Sequence, residues 1–160
     1  MATDTHRCVR LERVDEGVYR ATNARGGELV FGSQAGAAFS PVELLLAAIG
    51  GCTAVDVDVV TGRRAAAEQF LVDVEAETVR NDSGNRLQDL AVTFRVRFGE
   101  GEDGDAARAI LPRAVATSHD RTCTVSRTVE IGTAVAVRID PSPDHGPRTS
   151  ACPRPEETHE

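Results

Sequence analysis

The first third of the chain alternates between apolar and polar positions in short runs, a pattern typical of β-strands. Three such runs lie within residues 8–31, and turns at residues 15–17 and 24–27 separate them. Both turns end in glycine, which adopts a positive φ at little cost. We therefore expect a small antiparallel meander over residues 8–31.

A strong helix start follows at Ser40. Ser40 is placed to cap the helix, Pro41 occupies the first helical position, and Glu43 completes a capping box two residues later. The pair Gly50–Gly51 costs about 1 kcal/mol per glycine relative to alanine. No other turn residue interrupts the apolar sequence, so we predict one buried helix over residues 41–62. The glycines would then leave a flat strip where a neighbouring segment comes close.

A second β unit is predicted over Phe70–Phe98, with a hairpin turn at residues 81–84. Its second strand carries an apolar stripe on one face: Leu90, Val92, Phe94, Val96 and Phe98. An acidic, glycine-rich loop is expected next, over residues 99–105.

The last third predicts a helix over Ala106–His119, in which Pro112 produces a kink or marks the true start. The type of the segment Val125–Glu130 is left open, and Ala134–Ile139 is predicted to be a final strand. The order is thus βββ–α–ββ–α–β, an α+β fold with antiparallel sheet. We expect one domain over residues 1–140, followed by a disordered tail.

The tail, residues 141–160, holds five of the seven prolines, a composition typical of disorder. The chain has 18 basic and 25 acidic residues, a net charge of −7, which argues against a nucleic-acid or anionic-membrane partner. All 18 basic residues are arginine, so no lysine is available for a Schiff base or a P-loop. No uninterrupted apolar run reaches the length of a membrane span, and the N-terminus lacks the apolar core of a signal peptide. The sequence therefore predicts a soluble, cytoplasmic protein.

The candidate chemistry lies in the four cysteines: Cys8, Cys52, Cys123 and Cys152. Two cysteines in the middle of a cytosolic chain are commonly small core residues. Cys52, however, follows the glycine pair, and Cys123 has polar neighbours, so both could be approached closely. A zinc set of Cys8, Cys52, Cys123 and His119 has no ligand pair with finger-like spacing, and we predict no metal and no cofactor. Cys8 is interpreted as a packing residue and Cys152 as an incidental thiol.

The sequence from Ser40 to Val57, with its Pro41…Gly50-Gly51-Cys52 string, closely resembles the central helix of the OsmC/Ohr family. The segment from Cys123 to Val129 resembles that family's second-cysteine segment, and the likeness covers roughly residues 8–140. It implies an intertwined homodimer in which antiparallel sheets pack around two central helices. The active sites of such a dimer would lie at the subunit interface.

The resemblance also implies an activity, the reduction of organic hydroperoxides. By position, Cys52 would be the peroxidatic cysteine and Cys123 the resolving cysteine, and a dithiol reductant would reopen their disulfide. We expect an organic peroxide because the apolar residues available are Leu, Val, Ala and Phe.

A cation near Cys52 is expected, because the attacking species is the thiolate. In the family an arginine of the first strands lies over the thiol, fixed by a glutamate directly after the proline, a position that here holds Val42. We predict that Arg20 supplies the cation in preference to Arg25, and that Glu43 fixes it. The ordinary interpretations are an exposed strand arginine for Arg20 and a helix cap for Glu43.

Further alternatives concern the neighbouring polar residues and the function itself. Asp56, four residues after Cys52, is interpreted as a solvated or salt-bridged carboxylate, and His119 as an exposed histidine near a helix end. A redox-sensing or apolar-ligand-binding protein on the same scaffold is the alternative to an enzyme. A purely structural role for the cysteine pair is the third interpretation.

Overall fold

The computed structural model describes residues 5–33 and 39–139. The predicted tail, with Cys152, lies outside these residues. The chain divides into two compact units. The described part of the first contains residues 5–33, 39–43 and 136–139, and the second contains residues 44–135.

The first unit is built on an antiparallel sheet of three strands in sequential order: β1 (Arg10–Asp15), β2 (Val18–Thr22) and β3 (Glu28–Gly32). The β1–β2 turn contains Gly17 at φ 65°, and the β2–β3 turn is closed by the Asn23 side chain, which accepts two backbone N–H groups. The predicted meander is therefore confirmed.

Helix α1 spans Pro41–Thr61 and begins with the predicted capping box. The Ser40 N–H donates to Glu43 Oε2 at 2.7 Å, and the Glu43 N–H donates to Ser40 Oγ at 3.2 Å. These two bonds satisfy groups that a helix N-terminus otherwise leaves without partners. The prediction of one helix through the glycine pair is confirmed.

The second unit contains a long hairpin of β4 (Ala67–Asn81) and β5 (Gly84–Phe98) beside α1. The two glycines of α1 differ in their surroundings. A Cβ at Gly50 would collide with the Val74 side chain of β4, whereas a Cβ at Gly51 would meet nothing within 4 Å. Only Gly50 therefore serves the close approach that the sequence predicted for the pair.

The apolar stripe of β5 is confirmed at four of its five positions, and Leu90 is the exception, 39% exposed. The pairing of β4 with β5 shifts register after Glu75, and Asp89 has φ 53°. Such an irregularity adds a residue to one strand and changes which face the next side chains occupy. The alternation therefore holds only from Val92 onwards.

Helix α2 spans Glu102–Thr117, so residues 102–105 of the predicted loop form its first turn, and residues 99–101 stay outside the helix. Glu102, Asp103 and Asp105 lie there, where the partial positive charge of a helix N-terminus favours carboxylates. Pro112 lies inside the helix and does not mark its start.

A five-residue π-helical turn, Ser118–Thr122, continues α2 and is here called the π segment. Helix α3 (Thr124–Ile131) follows, which answers the open question about residues 125–130. The predicted final strand is wrong, since residues 133–139 form no strand and Val135, Val137 and Ile139 are 85–89% exposed. Alternation alone does not make a strand where no neighbouring backbone, among the described residues, supplies the hydrogen bonds.

Within residues 5–33 and 39–139, three α-helices and two antiparallel sheets confirm the α+β class. Helix α1 is also long and apolar enough, by length and composition alone, to cross a membrane. The core helix of a folded domain passes the same test, and the Asp56 carboxylate of α1 is bound to hydroxyl groups of the π segment. Only five residues of α1 are buried in this chain, namely Ile49, Gly50, Thr53, Val57 and Thr61, so the buried helix predicted from the sequence is buried along one face only.

Candidate active site

Cys52 and Cys123 are 71 residues apart in sequence, and the second unit brings their thiols together. Cys52 lies on α1 and is partly exposed, whereas Cys123 lies between the π segment and α3 and is completely buried. Both are free thiols. The two predicted redox cysteines are therefore neighbours, with the more accessible sulfur on α1.

Cys123 is the N-cap residue of α3. Its backbone is extended (φ −69°, ψ 99°), and its sulfur accepts the Ser126 N–H at 3.4 Å, in the place usually taken by a Ser or Asp oxygen. The Cys123 thiol also lies 3.2 Å from the Ser126 hydroxyl. The Cys123 N–H is bound to the Ser118 carbonyl at 2.8 Å, which fixes the residue to the start of the π segment.

The Cys52 sulfur faces the same helix end. The nearby backbone N–H groups of Val125 and Thr124 favour the thiolate and so lower the pKa of Cys52. Burial is the largest influence and acts in the opposite direction, and the neighbouring Cys123 adds to it. The net result is a pKa of Cys52 above the ordinary value of a thiol.

The pKa of Cys123 moves the other way. Burial of the thiol is the largest single influence and would raise the pKa, but several hydrogen bonds together outweigh it. The hydroxyl and N–H of Ser126 lie within hydrogen-bond distance of the sulfur, and together with the nearby Thr53 hydroxyl and Cys52 thiol they lower the pKa below its ordinary value. The charge of the pair is therefore better stabilised on Cys123 than on Cys52.

Asp56 follows Cys52 by one helical turn and faces the π segment. Its Oδ2 accepts hydrogen bonds from the Ser118 hydroxyl at 2.8 Å and the Thr122 hydroxyl at 2.5 Å. The half-buried Asp56 thus has two hydroxyl partners that the sequence did not predict, and the interface salt bridge considered for it stays a prediction.

Arg20 and Glu43, the other predicted site residues, lie in the first unit. Arg20 is on β2, with its Nε 3.9 Å from Glu28 on β3, in an ion pair whose side chains are about half exposed. Glu43 forms the capping box, and its hydrogen bonds to Ser40 lower its pKa. Within the described residues, the groups that shift the pKa of Cys52 include no arginine.

His119 is exposed, as expected, and its Nε2 lies 3.4 Å from Glu130 Oε1 of α3. The described part of the chain contains no cluster of three His, Cys, Asp or Glu side chains placed to hold a metal ion. Cys8, one member of the zinc set considered from the sequence, is disulfide-bonded, which corrects its interpretation as a packing residue and removes it from that set.

Sequence reasoning missed four hydroxyl residues that surround the cysteines: Thr53, Ser118, Thr122 and Ser126. Only Ser126 carried a usable signal, because a residue three positions after an N-cap can bond back to it. The other three depend on contacts between distant segments, which local patterns do not report.

Comparison with known families matches residues 32–138 to the model described as "OsmC-like protein". No curated protein sequence matches the chain significantly.

Solved structures with a similar backbone add to this result. An OsmC-like protein of unknown function from Vibrio cholerae superposes with a TM-score of 0.65 at 11% identity, covering 79% of this chain and 94% of its own. A hypothetical protein from Aquifex aeolicus gives 0.63 at 21% identity, covering 80% and 89%. An organic hydroperoxide resistance protein from Legionella pneumophila gives 0.53 at 18% identity, covering 79% and 90%. At these identities the likeness establishes the fold alone.

Proposed function

Because the chain belongs to the OsmC-like protein family, we propose that it reduces organic hydroperoxides through a two-cysteine disulfide cycle, in defence against oxidative stress. One observation carries this proposal. Two free thiols from distant parts of the chain lie close enough to shift each other's pKa, and one of them is partly exposed. A purely structural pair would not need an accessible member.

The first step of the cycle is attack by Cys52. The Cys52 thiolate attacks the distal oxygen of the peroxide ROOH, so that an S–O bond forms, the O–O bond breaks and the alkoxide RO⁻ leaves, which takes up a proton to give ROH. The sulfur is oxidised to a sulfenic acid and the peroxide is reduced. Cys52 suits this step because it is the exposed member of the pair.

The second step is attack by Cys123 on the oxidised Cys52. The Cys123 thiolate forms the S–S bond and the hydroxyl leaves as water after protonation. A lowered pKa of Cys123 supports this role, since the resolving group is then available as thiolate. An external dithiol then reduces the disulfide by exchange, and a reducing compartment such as the cytoplasm suits that step.

Exposed apolar residues share the helix face of Cys52. Leu45, Val55 and Val59 follow the spacing i−7, i+3 and i+7 relative to Cys52 and are 39–65% exposed. An apolar surface of this kind favours an organic over a hydrogen peroxide. It also supports a homodimer, because monomers seldom leave such a stripe uncovered.

Cys52 needs a group that stabilises its thiolate, because the pKa of this thiol is raised. We assign the activating cation to Arg20, whose pairing with Glu28 at 3.9 Å is loose enough to be exchanged for another partner. Glu43 would orient this cation only at the expense of its capping bonds. The matched test is the peroxide reaction of Arg20→Ala beside Arg25→Ala, in which only the first should be slow.

A redox sensor without turnover is the second candidate, and the raised pKa of Cys52 favours it. A thiol that is mostly protonated at neutral pH reacts slowly with peroxides. The same cysteine pair would then act as a latch, closed by strong oxidation and opened by thiols.

Cumene hydroperoxide consumption by the reduced chain, supplied with a dithiol, separates these possibilities. We expect repeated turnover in the wild type, none in Cys52→Ser, and one turnover in Cys123→Ser followed by trapping of sulfenic or sulfinic acid at Cys52. Equal rates in Cys52→Ser and the wild type would contradict catalysis. Disulfide formation without turnover would support the redox sensor and contradict the peroxidase.

A further inference from the structure

The π segment is held at both ends by a single carboxylate oxygen. Asp56 Oδ2 accepts the hydroxyl of Ser118, the first residue of the segment, and that of Thr122, the last. Ser118 is 1% exposed, so its bond is shielded from water. Hydrogen bonds to an ionised group are about twice as strong as those between neutral groups.

The same segment determines where Cys123 lies. The Cys123 N–H closes the segment by donating to the Ser118 carbonyl at 2.8 Å. A π-helical turn is rare and less stable than α-helix, so it persists where other contacts hold it. Asp56 supplies such contacts from α1, the helix that also carries Cys52.

Cys52 and Asp56 are one helical turn apart and therefore lie on one face of α1. That face contacts Cys123 through Cys52 and the two ends of the π segment through Asp56. A shift of the π segment along α1 would break both Asp56 bonds and move the Cys123 sulfur away from Cys52. The two contacts are thus geometrically linked.

We propose that Asp56 is a positioning residue for disulfide formation, which holds the π segment so that the Cys123 sulfur faces Cys52. This inference rests on the proposed function for its biological purpose. In physical terms, it states that Asp56 raises the effective concentration of the Cys123 thiol at Cys52. Asp56 itself does not contact the reacting atoms.

The test measures that effective concentration without any peroxide. Full-length variants are equilibrated with mixtures of glutathione and glutathione disulfide, in which two glutathione thiols are released for each Cys52–Cys123 disulfide formed. The disulfide is quantified by mass spectrometry of the two alkylated peptides. For Asp56→Ala we expect the equilibrium constant to fall about tenfold or more, since two bonds to a charged group are lost.

Two variants show whether the hydrogen bonds are responsible. Asp56→Asn keeps an oxygen that can accept both hydroxyls and should stay within about threefold of the wild type, because two neutral hydrogen bonds remain. Asp58→Ala removes an exposed carboxylate from the same helix and should leave the constant unchanged. An unchanged constant in Asp56→Ala, or equal losses in Asp56→Ala and Asp58→Ala, would overturn the inference. So would an Asp56→Asn variant as impaired as Asp56→Ala.

Folding of each variant is checked by circular dichroism. Should Asp56→Ala not fold, Thr122→Val decides the matter, because it removes one of the two donors at an exposed position while keeping the side-chain shape. A lowered disulfide constant in this variant supports the inference, and a wild-type value refutes it. The proposed function fails separately, if the wild type forms the disulfide with glutathione yet does not react with cumene hydroperoxide.

Discussion

The Cys123 thiol lies 3.2 Å from the Ser126 hydroxyl and accepts the N–H of the same residue at 3.4 Å. As a thiol, Cys123 donates to the hydroxyl oxygen; as a thiolate, it accepts from both groups of Ser126. A cysteine at an N-cap therefore has donors already in place for its charged form. This arrangement explains how a completely buried sulfur has a lowered pKa.

Ser126→Ala should raise the pKa of Cys123, because the hydroxyl donor is lost and burial remains. The titration is followed by thiolate absorbance near 240 nm in a Cys52→Ser background, where the second thiol of the pair is absent. Thr128→Ala is the matched control, since that hydroxyl donates only to the Thr124 carbonyl of α3. Equal titration curves for Ser126→Ala and Thr128→Ala would contradict the assigned role of Ser126.

The same thiol makes stability depend on pH. A lowered pKa of folded Cys123 means that its stabilisation is fully present above the pKa of the unfolded thiol, about 8.5. It is lost as the pH falls through the lower, folded pKa. In the Cys52→Ser background, Ser126→Ala should therefore lose more stability at alkaline than at neutral pH. Urea unfolding at the two pH values measures the difference, and an equal loss at both would count against the linkage.

Glu43 gives a second pH dependence, in the acid range. Hydrogen bonds from Ser40 lower its pKa below the ordinary 4.5, so its charged form adds stability above that value. The contribution disappears as the pH falls through the lowered pKa. Glu43→Gln should therefore be less stable than the wild type at neutral pH and equal to it in stronger acid.

Glu16→Gln, at an exposed turn between β1 and β2, is the control for this measurement. Thermal unfolding from neutral pH down to the acid limit of reversibility follows both variants. A constant gap between Glu43→Gln and the wild type at every pH would show that the charge of Glu43 has no part in the cap.

Local signals in the sequence predicted local structure well. The capping box at Ser40 consists of hydrogen bonds within four consecutive residues, so the sequence alone predicted both of them. The turn at residues 81–84 is of the same kind, and the Asn81 side chain accepts the Ser83 N–H there at 3.0 Å. The α3 helix was harder to predict, because Thr and Val favour strands and cysteine is an unusual cap.

Non-local structure was predicted only where a family resemblance supplied it. The spacing of Cys52 and Cys123 alone gave no reason for them to meet. The hydroxyls on Asp56 come from residues more than 60 positions away, which no periodic pattern reports. The opposite error occurred at Val135 and Val137, where an alternating pattern predicted a strand that does not form. A strand needs a hydrogen-bonded neighbour as well as a pattern, and both side chains are exposed.

The two adjacent glycines of α1 provide a direct test of packing against β4. A methyl group at Gly50 would meet the Val74 side chain, and valine has few rotamers with which to move away. Gly50→Ala should therefore lower the free energy of unfolding by about 1–3 kcal/mol, the usual cost of overpacking. Gly51→Ala has open space within the chain and should raise it by up to about 1 kcal/mol through better helix propensity. Urea unfolding of both variants gives the comparison, and equal changes of the same sign would show that helix propensity alone, without the contact to Val74, governs this part of α1.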